Sequence, residues 1–169
     1  MLYRILQHEA SFIHGLQKGV NYNEIQPIIK LAKYITRKWN VLYFIFITFY
    51  FDWQLSIKLG GGIVVSRVSN YYIKNYFKVP RPYNKFPGAI KYYKKNKKLS
   101  YSFPSQSIQN ITVLYYIYLP ESAILIFFYW GVMFMVSTTR MIRGLHYPHD
   151  IFFSYLYSYF LALMINYFE

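Results

Sequence analysis

The chain has no cysteine, only six acidic residues against 19 lysines and arginines, and four histidines in 169 residues. The first absence excludes disulfides and thiolate metal sites. The second leaves a formal net charge of +13, which calls for an anionic partner: nucleic acid, an anionic membrane surface or a phosphorylated substrate. Nothing in residues 1–20 reads as a cleavable signal, because Arg4, His8, Glu9, His14 and Lys18 interrupt the apolar residues. The length sets one domain, residues 1–169.

What is abundant is apolar and aromatic. Hydrophobic residues make up 55% of the chain and aromatic ones 23%, including 21 Tyr. Runs such as "VLYFIFITFYF" at 41–51 and "ESAILIFFYWGVMFMVSTT" at 121–139 are unlike a nucleic-acid module, so no nucleic-acid partner is expected and the membrane and phosphate readings lead. Tyr suits the membrane interface, where an amphipathic ring keeps one end wet. The mean hydropathy of only +0.14 reflects the many Tyr and Lys.

The expected architecture is an all-α integral membrane bundle of about five spans. Residues 2–20 carry Ile5, Leu6, Phe12, Ile13, Leu16 and Val20 at roughly helical spacing, which predicts an amphipathic helix on the membrane surface or on the bundle, within an interfacial region 1–30. The first span, 41–51, is short for a bilayer that needs about 20 apolar residues, and is expected to borrow from 31–40. The second runs from 54 to 73 through "GGG" at 60–62, glycines that let neighbouring helices approach. A basic loop, 74–104, leads to a third span from Pro104 to Pro120; the fourth is 121–139 and the fifth 151–168. Counting crossings puts residues 1–40, 74–104 and 140–150 on one side. All of the 19 Lys and Arg except Lys58 and Arg67 fall there, while Asp52, Glu121 and Glu169 fall at the opposite ends.

Polar chemistry gathers on that side. "KNYFKVPRP" supplies Lys74 and Arg81, an ammonium and a guanidinium suited to phosphate oxygens, although such residues also bind lipid headgroups from a solvated loop. "PSQS" at 104–107 opens a helix, whose unpaired N–H groups and the hydroxyl of Ser105 suit an anion or an ordinary N-cap. "TRMIRGLHYPHD" brings Arg140, with His146 and Asp150 four residues apart, so that a carboxylate can orient an imidazole. Lys58 and Arg67 lie within the second span, and the run Lys91, Lys94, Lys95, Lys97 and Lys98 reads as a solvated loop that attracts anionic lipid.

These stretches together resemble the type 2 phosphatidic acid phosphatase superfamily, whose signature is K-x6-RP, then PSGH, then SR-x5-H-x3-D. Lys74, Arg81 and Pro82 match the first part, and Arg140, His146 and Asp150 match the third, with Thr139 in the place of Ser. The resemblance implies that His146 is a nucleophile forming a phosphohistidine, with Asp150 orienting it. It implies that Lys74, Arg81, Ser105, Arg140 and the backbone near Gln106 bind the phosphoryl oxygens, with no metal or other cofactor. The substrate it implies is a lipid phosphate or lipid diphosphate in the endoplasmic reticulum or plasma membrane, handled by a multi-pass protein.

The departure falls in the second part, where the general-acid His is replaced by Ser107. A lost general acid costs roughly 10²–10⁴ in rate. The cost bears on an alkoxide leaving group, whose conjugate acid resembles water at about 15.7, more than on a departing phosphate, whose second pKa is about 6. Three explanations stand open. The change was introduced to silence turnover, the chain is a natural member with reduced activity, or it acts on a polyprenyl-type diphosphate or recruits another acid such as His149, His8 or His14. A non-catalytic relative that binds phospholipid headgroups or scaffolds partners is the alternative function.

Overall fold

The structure, a computed structural model, describes residues 2–92, 101–118 and 121–167. Among them are eight helical elements and no strand: α1 (Leu2–Lys18), α2 (Gln26–Ile35), α3 (Lys38–Phe51), α4 (Trp53–Phe77), α5 (Pro82–Lys85), α6 (Gln106–Tyr118), α7 (Ala123–Ile142) and α8 (Pro148–Tyr167). Lys94, Lys95, Lys97, Lys98, Pro120 and Glu169 lie outside the described residues.

α6 is the central rod, packed most extensively against α8 and α4, while α3 pairs with α4 and α2 with α7. Leu59 and Ile63 of α4, Val113 and Ile117 of α6 and Ala162 of α8 form one buried cluster. A second joins Ala32 of α2, Ile108 of α6 and Tyr129, Met133 and Val136 of α7. Small polar residues, Ser56 and Ser66 on α4 and Ser154 and Ser158 on α8, are buried at the helix contacts, as expected where close approach rather than hydrophobic collapse holds helices together. The outward faces are the reverse of a water-soluble surface: Phe46, Val64, Phe127, Phe134 and Phe160 are all exposed.

Several boundaries differ from the expectation. The first span takes only 38–40 from 31–40, because the chain breaks between α2 and α3: Thr36 N donates to Ala32 O, Arg37 N donates to Tyr34 O, and Arg37 is extended. α3 is therefore 14 residues, about 21 Å long. Lys74 stands on the last turn of α4, not in the following loop, and α4 ends where Lys78 turns left-handed at φ 48°. Among the described residues, α7 is the helix long and apolar enough to cross a membrane by itself. Asp52 makes the tight α3–α4 turn, its carboxylate accepting from Leu55 N at 2.9 Å.

α1 lies on the bundle with Leu6, Ala10 and Ile13 buried against Val79, Tyr83, Ile90, Leu145 and Tyr147. Gln17 stitches it down: Nε2 donates to Lys91 O at 2.9 Å and Ile142 O at 2.7 Å, and Oε1 accepts from Lys91 N at 2.9 Å. Helix α1 thus covers residues 79–91 and the α7–α8 turn.

Of the three consecutive glycines, only Gly62 makes the close approach expected of them. A Cβ there would lie 2.6 Å from Ile117 Cδ1 and 2.9 Å from Val113 Cγ1, whereas Gly60 and Gly61 have nothing within 4 Å. Gly62→Leu is expected to cost about 1–3 kcal/mol through overpacking, and Gly61→Ala to stabilise by up to about 1 kcal/mol through helix propensity. Unfolding midpoints in detergent check both; equal effects at the two positions would contradict the packing.

Candidate active site

Four chain ends meet at one end of the bundle: the last turn of α4, the first turn of α6, the last turn of α7 and the first turn of α8. Each contributes what its local sequence allows. On α4, Lys74 Nζ donates to Tyr101 O at 3.2 Å and Ser102 O at 3.3 Å, which ties the ammonium to the segment leading into α6. Arg81 precedes Pro82, whose ring suits the first position of α5, and its guanidinium donates to Leu145 O at 3.2 Å. The connection folds back here because Tyr83 N donates to Gly144 O at 3.3 Å. Gly144 has φ 64°, and a Cβ on it would sit 2.7 Å from Ile90 Cγ2, so glycine is required at this turn.

At the start of α6, Ser105 O accepts from Ile108 N and Gln109 N, and Ser105 N donates to Ser154 Oγ at 2.6 Å. Ser105 Oγ is buried without a hydrogen-bond partner, a hydroxyl donor still to be used. Gln106 caps its own helix face, Nε2 to Asn110 Oδ1 at 2.9 Å. Asn70 of α4 bonds Gln109 of α6, which locks the two helix ends together.

Arg140, half-buried on α7, donates to Ser107 Oγ at 2.7 Å and Thr36 Oγ1 at 2.9 Å. The position where the resemblance expects an acid thus holds a hydroxyl that accepts from a guanidinium. Arg81 and Arg143 both lie within charge-coupling range of Arg140, and Lys74 within range of Arg81 and Asp150. Lys74, Arg81, Arg140 and Arg143 are therefore linked, pair by pair, into one cation cluster at this end of the bundle. Burial holds both Arg81 and Arg143 below the ordinary arginine value, and for Arg81 the positive Arg143 adds to this. Among the described residues Asp150 is the fully buried carboxylate facing them.

His146 lies in the α7–α8 turn and is only 5% exposed. Its Nδ1 is 3.6 Å from Asp150 Oδ2, a charge contact too long for a full hydrogen bond. The same Oδ2 accepts Tyr147 N at 2.8 Å, which fixes the carboxylate. Burial first, then the positive Arg81 and Lys74, hold the His146 imidazole down at about 4, with Asp150 pulling the other way. A neutral imidazole with an available lone pair is the form a nucleophile needs.

The expected residues Lys74, Arg81, Ser105, Gln106, Ser107, Arg140, His146 and Asp150 all lie at this end of the bundle. His149 is not turned to the cation cluster as a substitute acid: Nδ1 is 2.5 Å from Glu9 Oε2 and Nε2 3.2 Å from Asp150 Oδ1. Lys58 and Arg67 of α4 are both half-buried. Residues not foreseen are Thr36, Arg143, Ser154 and Glu9. Arg143 had a visible signal, a cation three residues after Arg140 and immediately before the glycine turn. Thr36, Ser154 and Glu9 act across 104, 49 and 140 residues of sequence, and no local pattern marks them.

Next to the cation cluster an apolar cavity of about 430 Å³ runs between α2, α3, α6 and α7, from Thr36 past Phe44, Leu114 and Phe128. Thr36 belongs to both, since its hydroxyl binds Arg140.

The His146 value carries a pH consequence. The unfolded chain takes up this proton near 6.5 and the folded chain only near 4. Its contribution to stability is therefore complete above 6.5 and is lost as pH falls from 6.5 to 4, by roughly 3 kcal/mol in all. Unfolding in detergent micelles should show the unsubstituted protein losing that much more than His146→Asn over this interval; equal losses would contradict a neutral buried imidazole.

No curated protein matches this sequence. A solved crystal structure of a transmembrane PAP2-type phosphatidylglycerolphosphate phosphatase from Bacillus subtilis superposes on the chain with a TM-score of 0.71 at 15% sequence identity, covering 99% of this chain and 93% of the other, a likeness of fold. A family model described as the PAP2 superfamily matches residues 55–169, which include all but the first two residues of α4, the α4–α6 connection and every motif residue above. The chain belongs to the PAP2 superfamily.

Proposed function

We propose that this protein is a multi-pass membrane phosphatase that hydrolyses a lipid phosphate or, in preference, a polyprenyl-type diphosphate through a phosphohistidine on His146. The observation that carries the reading is a neutral imidazole with Lys74 and Arg81 in its field and a buried carboxylate beside it, Arg81 being linked in turn to Arg140 and Arg143. In the first step the His146 ring nitrogen not turned to Asp150 attacks phosphorus, the N–P bond forms and the bond to the leaving oxygen breaks. The cations and the Ser105 hydroxyl take the charge on the three remaining oxygens. Asp150 stabilises the imidazolium character that develops on His146. In the second step water attacks phosphorus, the N–P bond breaks with its electron pair returning to the His146 nitrogen, and the proton lost by the water leaves on the departing hydrogen phosphate.

Ser107 decides between leaving groups. Its hydroxyl accepts from Arg140, so the pair stabilises a departing anion but supplies no proton of useful acidity. A phosphate leaving group, with a second pKa of about 6, departs without one. The apolar cavity that shares Thr36 with Arg140 suits a hydrocarbon chain, and the exposed aromatic faces of α3, α7 and α8 suit lipid. The endoplasmic reticulum and the plasma membrane both fit, with the site on the lumenal or extracellular face. A non-catalytic protein that binds phospholipid headgroups or scaffolds partners is the second reading, favoured by the missing acid.

Phosphate release from a polyprenyl diphosphate and from phosphatidate in mixed micelles separates them. The unsubstituted chain is expected to hydrolyse the diphosphate and His146→Ala to lose this activity. Ser107→His is expected to raise phosphatidate turnover by about 10²–10⁴. No release from either lipid, by the chain or by Ser107→His, would leave the binding reading.

A further inference from the structure

Glu9 and His149 form an ion pair that the reaction just described does not use, and its placement is unusual. Glu9 is on α1, N-terminal to every residue matched by the family. Its two carboxylate oxygens take both donors that His149 offers on that side: Oε1 accepts the backbone N–H of His149 at 3.0 Å and Oε2 faces Nδ1 at 2.5 Å. The other ring nitrogen, Nε2, faces Asp150 Oδ1 at 3.2 Å. Nε2 and Oδ1 meet as charges and not as an aligned hydrogen bond, and a carboxylate beside each nitrogen favours the doubly protonated imidazolium, because the neutral ring has one donor.

The rest of the surroundings agree with a cation. The ring stacks on Tyr147, centroids 5.4 Å apart and 13° between planes, and lies 6.0 Å from Phe103, faces that attract positive charge. From the elements packed against it, the titratable groups facing His149 are Glu9 of α1, Asp150 of α8 and Tyr147 of the turn. The pair is half-buried, with side chains 20% and 18% exposed.

We propose that Glu9 and His149 are positioning residues for the nucleophile: a chain Glu9–His149–Asp150–His146 in which α1 helps set the rotamer of Asp150. His149 Nε2 lies against Oδ1 as a charge contact, not an aligned hydrogen bond, while Oδ2 accepts Tyr147 N and lies 3.6 Å from His146 Nδ1. Tyr147 N already holds Oδ2, and the positive ring of His149 beside Oδ1 adds a second restraint on the terminal torsion. No bond is made or broken along this chain, and the positive His149 offsets one charge of the carboxylate pair that flanks it. Helix α1 is then a part of the active site, pinned by Gln17 at one end and by Glu9 in its middle.

The inference rests on His146 being the nucleophile of the proposed reaction, and two arms separate the failure of either. In the kinetic arm, Glu9→Gln and His149→Gln each lower kcat for a polyprenyl diphosphate by about 10–100-fold with KM within about twofold, the range for loss of a partner that orients a reacting group. The double variant is no worse than the worse single, because both act through Asp150, and Glu9→Asp recovers part of the loss. In the second arm, ¹⁵N-histidine spectra in micelles follow the four imidazoles directly, with His149→Gln assigning that ring. Both His149 nitrogens carry protons at pH 7.5, and Glu9→Gln shifts the His146 ring resonances. Should the unsubstituted protein release no phosphate, the catalytic reading falls and the spectra alone judge the chain. A neutral His149, His146 resonances unchanged in Glu9→Gln, or an unaltered kcat with only a lower unfolding midpoint would overturn it.

Discussion

Buried positive charge gathered about one buried carboxylate, among the described residues, is the constraint on which this molecule is built. Lys74, Arg81, Arg140 and Arg143 converge where Asp150 is the fully buried carboxylate. Removing cations from water is costly, and a cluster of like charge multiplies the cost. Carbonyl and hydroxyl oxygens relieve part of it: Tyr101 O and Ser102 O for Lys74, Leu145 O for Arg81, Ser107 and Thr36 for Arg140. These are dipoles, not charges. A multiply charged oxyanion at the cluster would complete what they begin.

The rest of the fold arranges helix ends around that cluster. Short helices suffice because each need only deliver its terminal turn, and α6, central but 13 residues long, delivers an N-terminus with its positive dipole end and the unused Ser105 hydroxyl. The Gly144 turn lets the chain reverse tightly between Arg140 and His146, so that a cation and the imidazole come from adjacent turns. Ser154, one turn below Asp150, takes Ser105 N and donates to Asp150 O at 2.5 Å, joining the anion end of α6 to the acid end of α8. Helix α1 closes the outer side and contributes the carboxylate that reaches His149.

Much of this was legible in the sequence, for identifiable reasons. Lys74, Arg81, Arg140, His146 and Asp150 stand in short motifs whose spacing survives any detail of packing. The gathering of cations on one side is expected from alternating hairpins, and the helix ends that carry Lys74, Arg140 and Asp150 do meet at one end of the bundle. What was not legible depends on contacts far apart in the chain. The break at Thr36 and Arg37 arises where the Thr36 N–H and hydroxyl close α2, while the apolar run around it reads as continuous. Glu9 was one charge among several on an amphipathic helix, and only docking of that helix gives it a partner. Gly60, Gly61 and Gly62 look alike in sequence, and which of them meets a neighbour is set by helix rotation.

The central claim is that the cation cluster encloses a site for a phosphate-sized anion. The most direct measurement is the unfolding midpoint of the detergent-solubilised chain titrated with inorganic phosphate, at constant ionic strength, beside Arg140→Gln. The account predicts a midpoint that rises with phosphate as binding to the folded state alone requires, and a rise that is lost in the variant. An unchanged midpoint, or the same rise in both proteins, would contradict it.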